Sequence, residues 1–205
     1  LQIQNTTAAN SIYFGNSNGN GVIQVDGANS LSVSVNGSER ARIDSSGRLL
    51  IGTSTSIGNN DIVLAATGNG NNFGAAAFRA NANGAEINLY KSRSSTVGTN
   101  TVVQSGDTIA QFDFKGADGT NYITAASIIS QVDGTPGTND MPGRLIFSTT
   151  SDGAATPTER MRIKSNGTIN FSNVATYADN TAALAGGLVA GDVYRKSDGT
   201  LMITY

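Results

Sequence analysis

The chain has 205 residues, of which 25 are glycine and 38% are apolar, and this size fits one larger domain or two small ones. It contains no histidine, cysteine or tryptophan, which excludes Ser-His-Asp and Cys-His catalytic units, zinc sites with nitrogen or sulfur ligands, and disulfides. Thirteen Lys and Arg against 15 Asp and Glu give a net charge of −2. Without a basic patch or an apolar stretch of ~18–20 residues, we expect neither nucleic-acid binding nor membrane insertion.

Turn signals and alternating apolar runs predict an all-β fold along most of the chain. Asn-Gly and Asp-Gly dipeptides recur throughout, and they favour the positive φ angles of tight turns. Between them lie short β-branched or aromatic runs with the period of two that is typical of strands. The predicted strands span residues 30–35, 85–91, 109–115, 122–132 and 144–149. Short strands of this spacing indicate a β-sandwich, prism or barrel, and such regular patterning disfavours disorder.

The end of the chain predicts one short helix followed by a hairpin. Alanine-rich residues 177–185 form the helix, with Thr176 as N-cap, Asp179 in the first turn and Gly186 at the C-terminal end. Residues 192–196 and 200–205 then form two strands around a Ser-Asp-Gly turn at 197–199.

Residues 39–49 are repeated as residues 159–169. In each copy we predict a strand that carries Glu, Ala or Met, and Ile on one face and two arginines on the other. A turn then leads into a second strand, so each copy is a hairpin that can end a module. The predicted modules are residues 1–58, 59–172 and 173–205. Because the sequence begins with Leu1 rather than methionine, we expect a piece of a longer polypeptide or a processed chain.

The repeat resembles a unit found in tail fibres of tailed bacteriophages, which is common in phages of marine bacteria and cyanobacteria. The resemblance rests on Glu159-Arg160-Met161-Arg162-Ile163 with Ser165 and Gly167, on the first copy, and on the order of segments 103–108, 116–119, 126–128, 133–137, 141–150 and 177–195. Ala41 and Lys164 depart from the usual Met and Asp.

This resemblance implies an elongated homotrimeric fibre of short antiparallel strands, built as β-prism or β-sandwich modules. It implies an extracellular virion component without enzymatic activity, whose partners are other copies of the chain, other tail proteins and a host-surface glycan or protein receptor. A thin, glycine-rich strand layer also buries little apolar area by itself, so sharing a core among symmetric copies favours a closed oligomer.

Several residues carry alternative chemical interpretations. The arginine pairs Arg40/Arg42 and Arg160/Arg162 suit structural ion pairs better than binding of an anionic glycan. The aspartates Asp113/Asp118 and Asp133/Asp140 suit turns better than Ca²⁺ ligation, since they lack EF-hand spacing. We therefore predict no metal, no cofactor and no catalytic residue.

Two classes of function compete with the fibre interpretation. One is an extracellular filament or adhesin subunit of cellular origin. The other is a polysaccharide depolymerase with a carboxylate pair, drawn from the scarce glutamates Glu39, Glu86 and Glu159 or from Asp113. Two of the three glutamates lie in the repeated hairpin, which favours a structural role for them.

The surface predicted to contact a receptor consists of loops rich in Asn, Ser and Gly. These are residues 16–20, 68–72, 92–101 and 135–140, and no single receptor-binding residue is assigned. Tyr90 is a candidate exposed sugar platform. The core is predicted to hold five phenylalanines, which are Phe73, Phe78, Phe112, Phe114 and Phe147.

Overall fold

The structure, a computed structural model, describes residues 2–6, 9–16, 19–25, 30–57, 60, 62–64, 80, 82 and 84–205, with side chains described from residue 21 onward. The chain divides into two compact units, Leu1–Glu86 and Ile87–Tyr205. Each is built on one principal sheet, which confirms the predicted all-β class with a single short helix among the described residues. The three-module division at residues 58 and 172 stays a prediction.

The first unit contains one seven-stranded sheet whose strands follow each other in chain order. Neighbouring strands are antiparallel except for the last pair, β6 and β7, which is parallel. The strands are β1 (Gln2–Thr6), β2 (Ala9–Asn16), β3 (Gly19–Val25), β4 (Leu31–Val35), β5 (Ser38–Ile43), β6 (Leu49–Ile51) and β7 (Ile62–Leu64). The prediction of a strand at residues 30–35 and of the first repeated hairpin is confirmed.

One face of this sheet is apolar and faces solvent in the single chain. The register places Val33 opposite Ile23 and Ala41, and it continues the same face across β5 and β6 to β7. Val33 is 39% exposed, whereas Ser32, on the opposite face, is 6% exposed. The described members of this apolar face are Ile23, Val25, Leu31, Val33, Val35, Ala41, Ile43, Leu49, Ile51, Ile62 and Leu64.

The second unit contains a five-stranded antiparallel sheet in the order β12-β11-β10-β9-β8. Its strands are β8 (Thr108–Ala117), β9 (Tyr122–Val132), β10 (Gly143–Thr149), β11 (Thr158–Ile163) and β12 (Ile169–Phe171). Predicted strands at residues 109–115, 122–132 and 144–149 are confirmed, as is the second repeated hairpin.

This sheet has an exposed apolar face as well. Cross-strand pairs bring Phe112, Ile128, Phe147, Met161 and Phe171 to one face. The prediction that Phe112 and Phe114 are core residues is wrong for the single chain, because they are 53% and 55% exposed. Phe147 is half-buried, and Phe73 and Phe78 lie outside the described residues. No second layer covers these rings among the described residues of the unit.

The prediction of a strand at residues 85–91 is wrong. Residues 84–90 form no ladder, and Ile87 and Tyr90 are 60% and 89% exposed. Alternation makes a strand possible, but a strand also needs a neighbouring backbone to supply hydrogen bonds, and the described chain supplies none here.

The C-terminal helix α1 (Asn180–Ala185) is shorter than predicted, and its N-cap is Asp179 rather than Thr176. The Asp179 carboxylate accepts a hydrogen bond of 2.9 Å from the amide of Ala182, because a short acceptor at this position satisfies an amide that lacks a helical partner. The helix ends at Gly186 as predicted. A Cβ there would overlap the ring of Tyr177, whose hydroxyl donates to the Gly186 carbonyl.

The predicted terminal hairpin is confirmed as β13 (Val193–Arg195) and β14 (Leu201–Ile203). Tyr194, which is 1% exposed, meets the ring of Tyr177 edge to face at a centroid distance of 6.3 Å. The other face of the hairpin exposes Val193, Leu201 and Ile203. An apolar strand face therefore lies open in this hairpin too.

Candidate functional site

A bulge determines the chemistry of both repeated hairpins. Opposite Val33 and Ser34 the strand β5 presents Ala41 and Glu39, so Arg40 is an extra residue without a partner on β4. Arg160 is the extra residue in the same way, between Met161 and Glu159. A bulge shifts the alternation of side chains by one position.

The bulge corrects the prediction that each glutamate lies on the face opposite the arginines. Glu39 and Arg42 share a face and form a bidentate ion pair, with two N–O distances of 2.6 Å. Glu159 and Arg162 form the same pair at 3.0 and 2.5 Å. Arg162 holds the pKa of the Glu159 carboxyl below its usual value. The structural interpretation of Arg42 and Arg162 is thus supported.

The side chains that accept hydrogen bonds from the turn amides differ between the two copies of the repeat. In the first copy, the Asp44 carboxylate accepts hydrogen bonds from the amides of Ser46 and Arg48. Lys164 replaces Asp44 in the second copy, and the amide of Thr168, which corresponds to Arg48, donates to the side-chain oxygen of Asn166 at 3.0 Å. The amide of Ser165 donates to Asp133 at 2.9 Å. Asp133 comes from the loop after β9 and is also paired with Arg144 at 2.9 Å.

Three of the four aspartates weighed as Ca²⁺ ligands, Asp113, Asp118 and Asp133, have hydrogen-bond partners within the chain. Asp118 accepts from the amides of Thr120 and Asn121 at 2.7 and 2.6 Å, which is turn chemistry, and these bonds lower its pKa. No group of three or more acidic side chains is placed to hold a metal ion in the described part of the chain.

Two of the three glutamates weighed for a depolymerase are bound by arginines. A glycosidase needs one carboxylic acid with a raised pKa. Glu39 and Glu159 are each bound by an arginine, and the pKa of Glu159 is lowered. Asp113 lies in β8, where its carboxylate accepts a hydrogen bond of 2.6 Å from the side chain of Gln111.

Two of the four predicted receptor loops meet at one cleft in the second unit. The cleft has a volume of about 580 Å³. The segment before β8 lines it with Lys91, Ser92, Asn100, Thr101, Val102 and Val103. The loop between β9 and β10 lines it with Pro136, Gly137, Thr138 and Met141. The other two predicted loops are residues 16–20 and 68–72. Residues 17, 18 and 68–72 lie outside the described residues, and only the backbone is described at residues 16, 19 and 20.

The segment before β8, residues 91–103, forms the first wall of the cleft, and the hydrogen bonds of one serine and one ion pair fix its conformation. The Ser92 hydroxyl donates to the carbonyl of Thr99 at 2.7 Å and accepts from the amide of Thr101 at 3.0 Å, so it ties the two ends of the loop together. Arg93 then binds both carboxylate oxygens of Asp107 at 2.6 and 2.7 Å. This pair lowers the pKa of Asp107 strongly.

The loop between β9 and β10, residues 136–141, forms the second wall of the cleft and contains a tight turn. Gly137 and Asp140 exchange two backbone hydrogen bonds of 3.0 and 3.1 Å, and Asn139 adopts a left-handed φ of 58°. Both walls leave the same end of the sheet, because Val132 at the end of β9 exchanges backbone bonds with Gly106 and Asp107. The cleft is therefore supported by the sheet rather than by the loops alone.

Sequence reasoning missed some residues of this cleft. Lys91, Val102 and Met141 line it, but nothing in their spacing links the two segments. Tyr90 is exposed, as predicted. Its role as a sugar platform stays a prediction.

The fold is similar to a class of viral fibre domains, the carboxy-terminal domains of phage tail fibres. The carboxy-terminal domain of the bacteriophage T5 L-shaped tail fibre aligns with a TM-score of 0.59 and 13% identity, over 98% of this chain and 80% of that one. The same domain with its intra-molecular chaperone domain gives the same TM-score and identity. This chain then covers 57% of that longer one.

No protein-family model matches the chain, and comparison with curated proteins finds no match. The structural neighbours are fibre domains rather than enzymes, and at 13% identity they establish the fold. None of the helical structure in the described residues is long and apolar enough to cross a membrane.

Proposed function

We propose that the chain is a structural and host-recognition part of a phage tail fibre, located in the virion and outside the cell, and without catalytic activity. The observation that carries this proposal is the likeness to tail-fibre carboxy-terminal domains over 98% of the chain. The residue-level resemblance of the two hairpins supports it independently. The test is immunogold labelling of particles of a phage that encodes the chain. Label on tail fibres is expected, whereas label on bacterial filaments would favour the cellular alternative.

The proposed assembly is a homotrimer in which the apolar sheet faces turn towards each other. Full burial of a Val, Leu, Ile or Phe side chain contributes about 1.5–3 kcal/mol. In a single chain Val33, Phe112 and Phe171 are each about 40–55% exposed, so much of that contribution is still to be gained. A partner copy presents the same kind of surface, and a closed symmetric oligomer leaves no apolar face unmatched.

Two neighbouring positions on β4 test the assembly. Native mass spectrometry is expected to give three times 21.0 kDa for the wild-type chain, whereas a monomer mass would contradict the trimer. Val33→Lys places a charge on the apolar face and is expected to dissociate the assembly. Ser34→Lys is the matched control, because its side chain lies on the other face near Glu39. Equal behaviour of the two variants would contradict an inward apolar face.

Host recognition is proposed to occur through the loops at the cleft. Several weak contacts for each trimer, multiplied over several fibres, give high avidity without strong single sites. The test is adsorption of fluorescently labelled wild-type chain to a panel of bacterial strains, together with blocking of phage adsorption by unlabelled chain. If no strain is labelled and adsorption is not blocked, host recognition is not the function of this region.

The absence of catalysis is part of the proposal and has its own test. Glycan extracted from a strain that the chain labels is expected to release no reducing ends when the chain is added. Release that disappears in Glu86→Gln or Asp113→Asn would favour a depolymerase instead.

A further inference from the structure

The cleft between residues 91–103 and 136–141 has the chemistry of a site for an acidic sugar, an inference that rests on the proposed role in host recognition. Its lining combines exposed apolar side chains with free polar ones. Val102 and Met141 are 59% and 57% exposed. The side chains of Asn100, Thr101 and Thr138 make no hydrogen bond with the described residues, so they are available to a ligand's hydroxyl groups.

Lys91 is the one charged residue among the described residues that line the cleft. Arg93 is paired with Asp107, and Arg144 with Asp133. Asp140, at the end of the second wall, is in no ion pair within the described residues, but it does not line the cleft. Lys91 lines the cleft and is also in no ion pair within the described residues. Its ammonium group donates to the carbonyl of Ser92 at 3.0 Å, which leaves two of its three N–H donors unused.

The walls are also formed before any ligand arrives. The Ser92 bonds and the Arg93–Asp107 pair hold one wall, and the Gly137–Asp140 bridge holds the other. A preformed site has less ordering entropy to lose on binding, which suits a ligand that makes few contacts.

We propose that this cleft binds a saccharide that carries an anionic group, either a carboxylate or a phosphate. The anionic group pairs with the Lys91 ammonium, and the sugar hydroxyls bond Asn100, Thr101 and Thr138. The C–H face of a ring lies on Pro136 and Met141. Because one positive charge contributes the attraction, the affinity of each site is low and falls with salt.

The experiment uses the full chain and isothermal titration with three defined oligosaccharides that differ in one group: uronic acid, sugar phosphate and neutral sugar. Binding of an acidic probe is expected, with at least a tenfold loss in Lys91→Glu. Lys164→Glu is the control, because an acidic residue, Asp44, occupies the equivalent position in the first repeat. Equal affinity for the neutral probe, or an unchanged affinity in Lys91→Glu, overturns the proposal.

Adsorption separates this proposal from the proposed function. If the wild-type chain and Lys91→Glu label the same strains equally, the receptor is bound elsewhere and the cleft assignment is wrong, while host recognition stands. If Lys91→Glu and Thr138→Trp, which fills the cleft, both lose labelling while the control Lys164→Glu keeps it, both proposals are supported. If the wild-type chain labels no strain, the function itself fails.

Discussion

The two repeated hairpins have the same backbone but different surroundings. β5 and β6 continue into the parallel strand β7, whereas β11 and β12 end their sheet. At the centre of the second strand, the first copy has Leu50, with no exposed surface, and the second has the exposed Asn170. Leu50 lies opposite Arg42 and beside Val63. Asn170 lies opposite Arg162, and no strand among the described residues pairs with its other side.

This difference shows which features depend on the hairpin sequence itself and which depend on the strands that pack beside it. The bulge, the Glu–Arg pair and the backbone of the turn are the same in both copies, and the turn glycines Gly47 and Gly167 both have a φ of 80°. The side chain at the strand centre differs because one position is covered and the other is open. The two copies therefore share a backbone conformation and an ion pair, whereas the burial of the residue at the strand centre depends on the neighbouring strands.

Exchanging the two central residues is expected to have the largest effect. Leu50→Asn removes a fully buried side chain and buries an amide, which is expected to lower the free energy of unfolding by about 3–5 kcal/mol. Asn170→Leu is expected to change it by less than about 0.5 kcal/mol, since the site is exposed. Urea unfolding followed by circular dichroism, at one fixed chain concentration, measures both. Similar effects would mean that the two positions are equally covered in the assembly.

Sequence patterns predicted the strands, the turns and the repeat because these depend on local chemistry. Alternation at residues 109–115 correctly placed Phe112 and Phe114 on one face, but it did not show whether anything in the chain covers that face. The same alternation at residues 85–91 predicted a strand where the described residues supply no neighbouring backbone. The bulge at Arg40 and Arg160 was missed because a register shift arises from pairing with the next strand. Its one sequence signal was the recurrence of Glu and Arg three residues apart.

The turn glycines are expected to behave alike, in contrast to the central residues. A Cβ added at Gly47 or Gly167 meets nothing within 4 Å, so the cost of Gly→Ala is that of a left-handed φ alone, about 1–2 kcal/mol. Gly116→Ala is the control, because this glycine in β8 also has open space but no positive φ. Thermal unfolding of the three variants measures this. A cost in one copy only would show that the turns differ in the assembly.

Removing one ion pair is expected to have the smallest effect on the free energy of unfolding, and this effect is expected to depend on pH. Glu159→Gln leaves Arg162 without its carboxylate and is expected to lower the free energy of unfolding by about 1 kcal/mol at pH 7, because the pair is partly exposed. Glu39→Gln, which removes the equivalent pair in the first copy, is expected to be similar.

The sign of the pH dependence follows from the direction of the pKa shift. The folded-state pKa of Glu159 is lowered, so its contribution to stability is complete above the ordinary carboxyl value of about 4. It is lost as the pH falls through the lowered folded-state pKa. The stability difference between wild type and Glu159→Gln should therefore shrink as the pH falls below about 4, which urea titrations at several pH values measure. A difference that grows on acidification would mean that Glu159 is stabilised in its protonated form, as a general acid is, and would reopen the hydrolytic alternative.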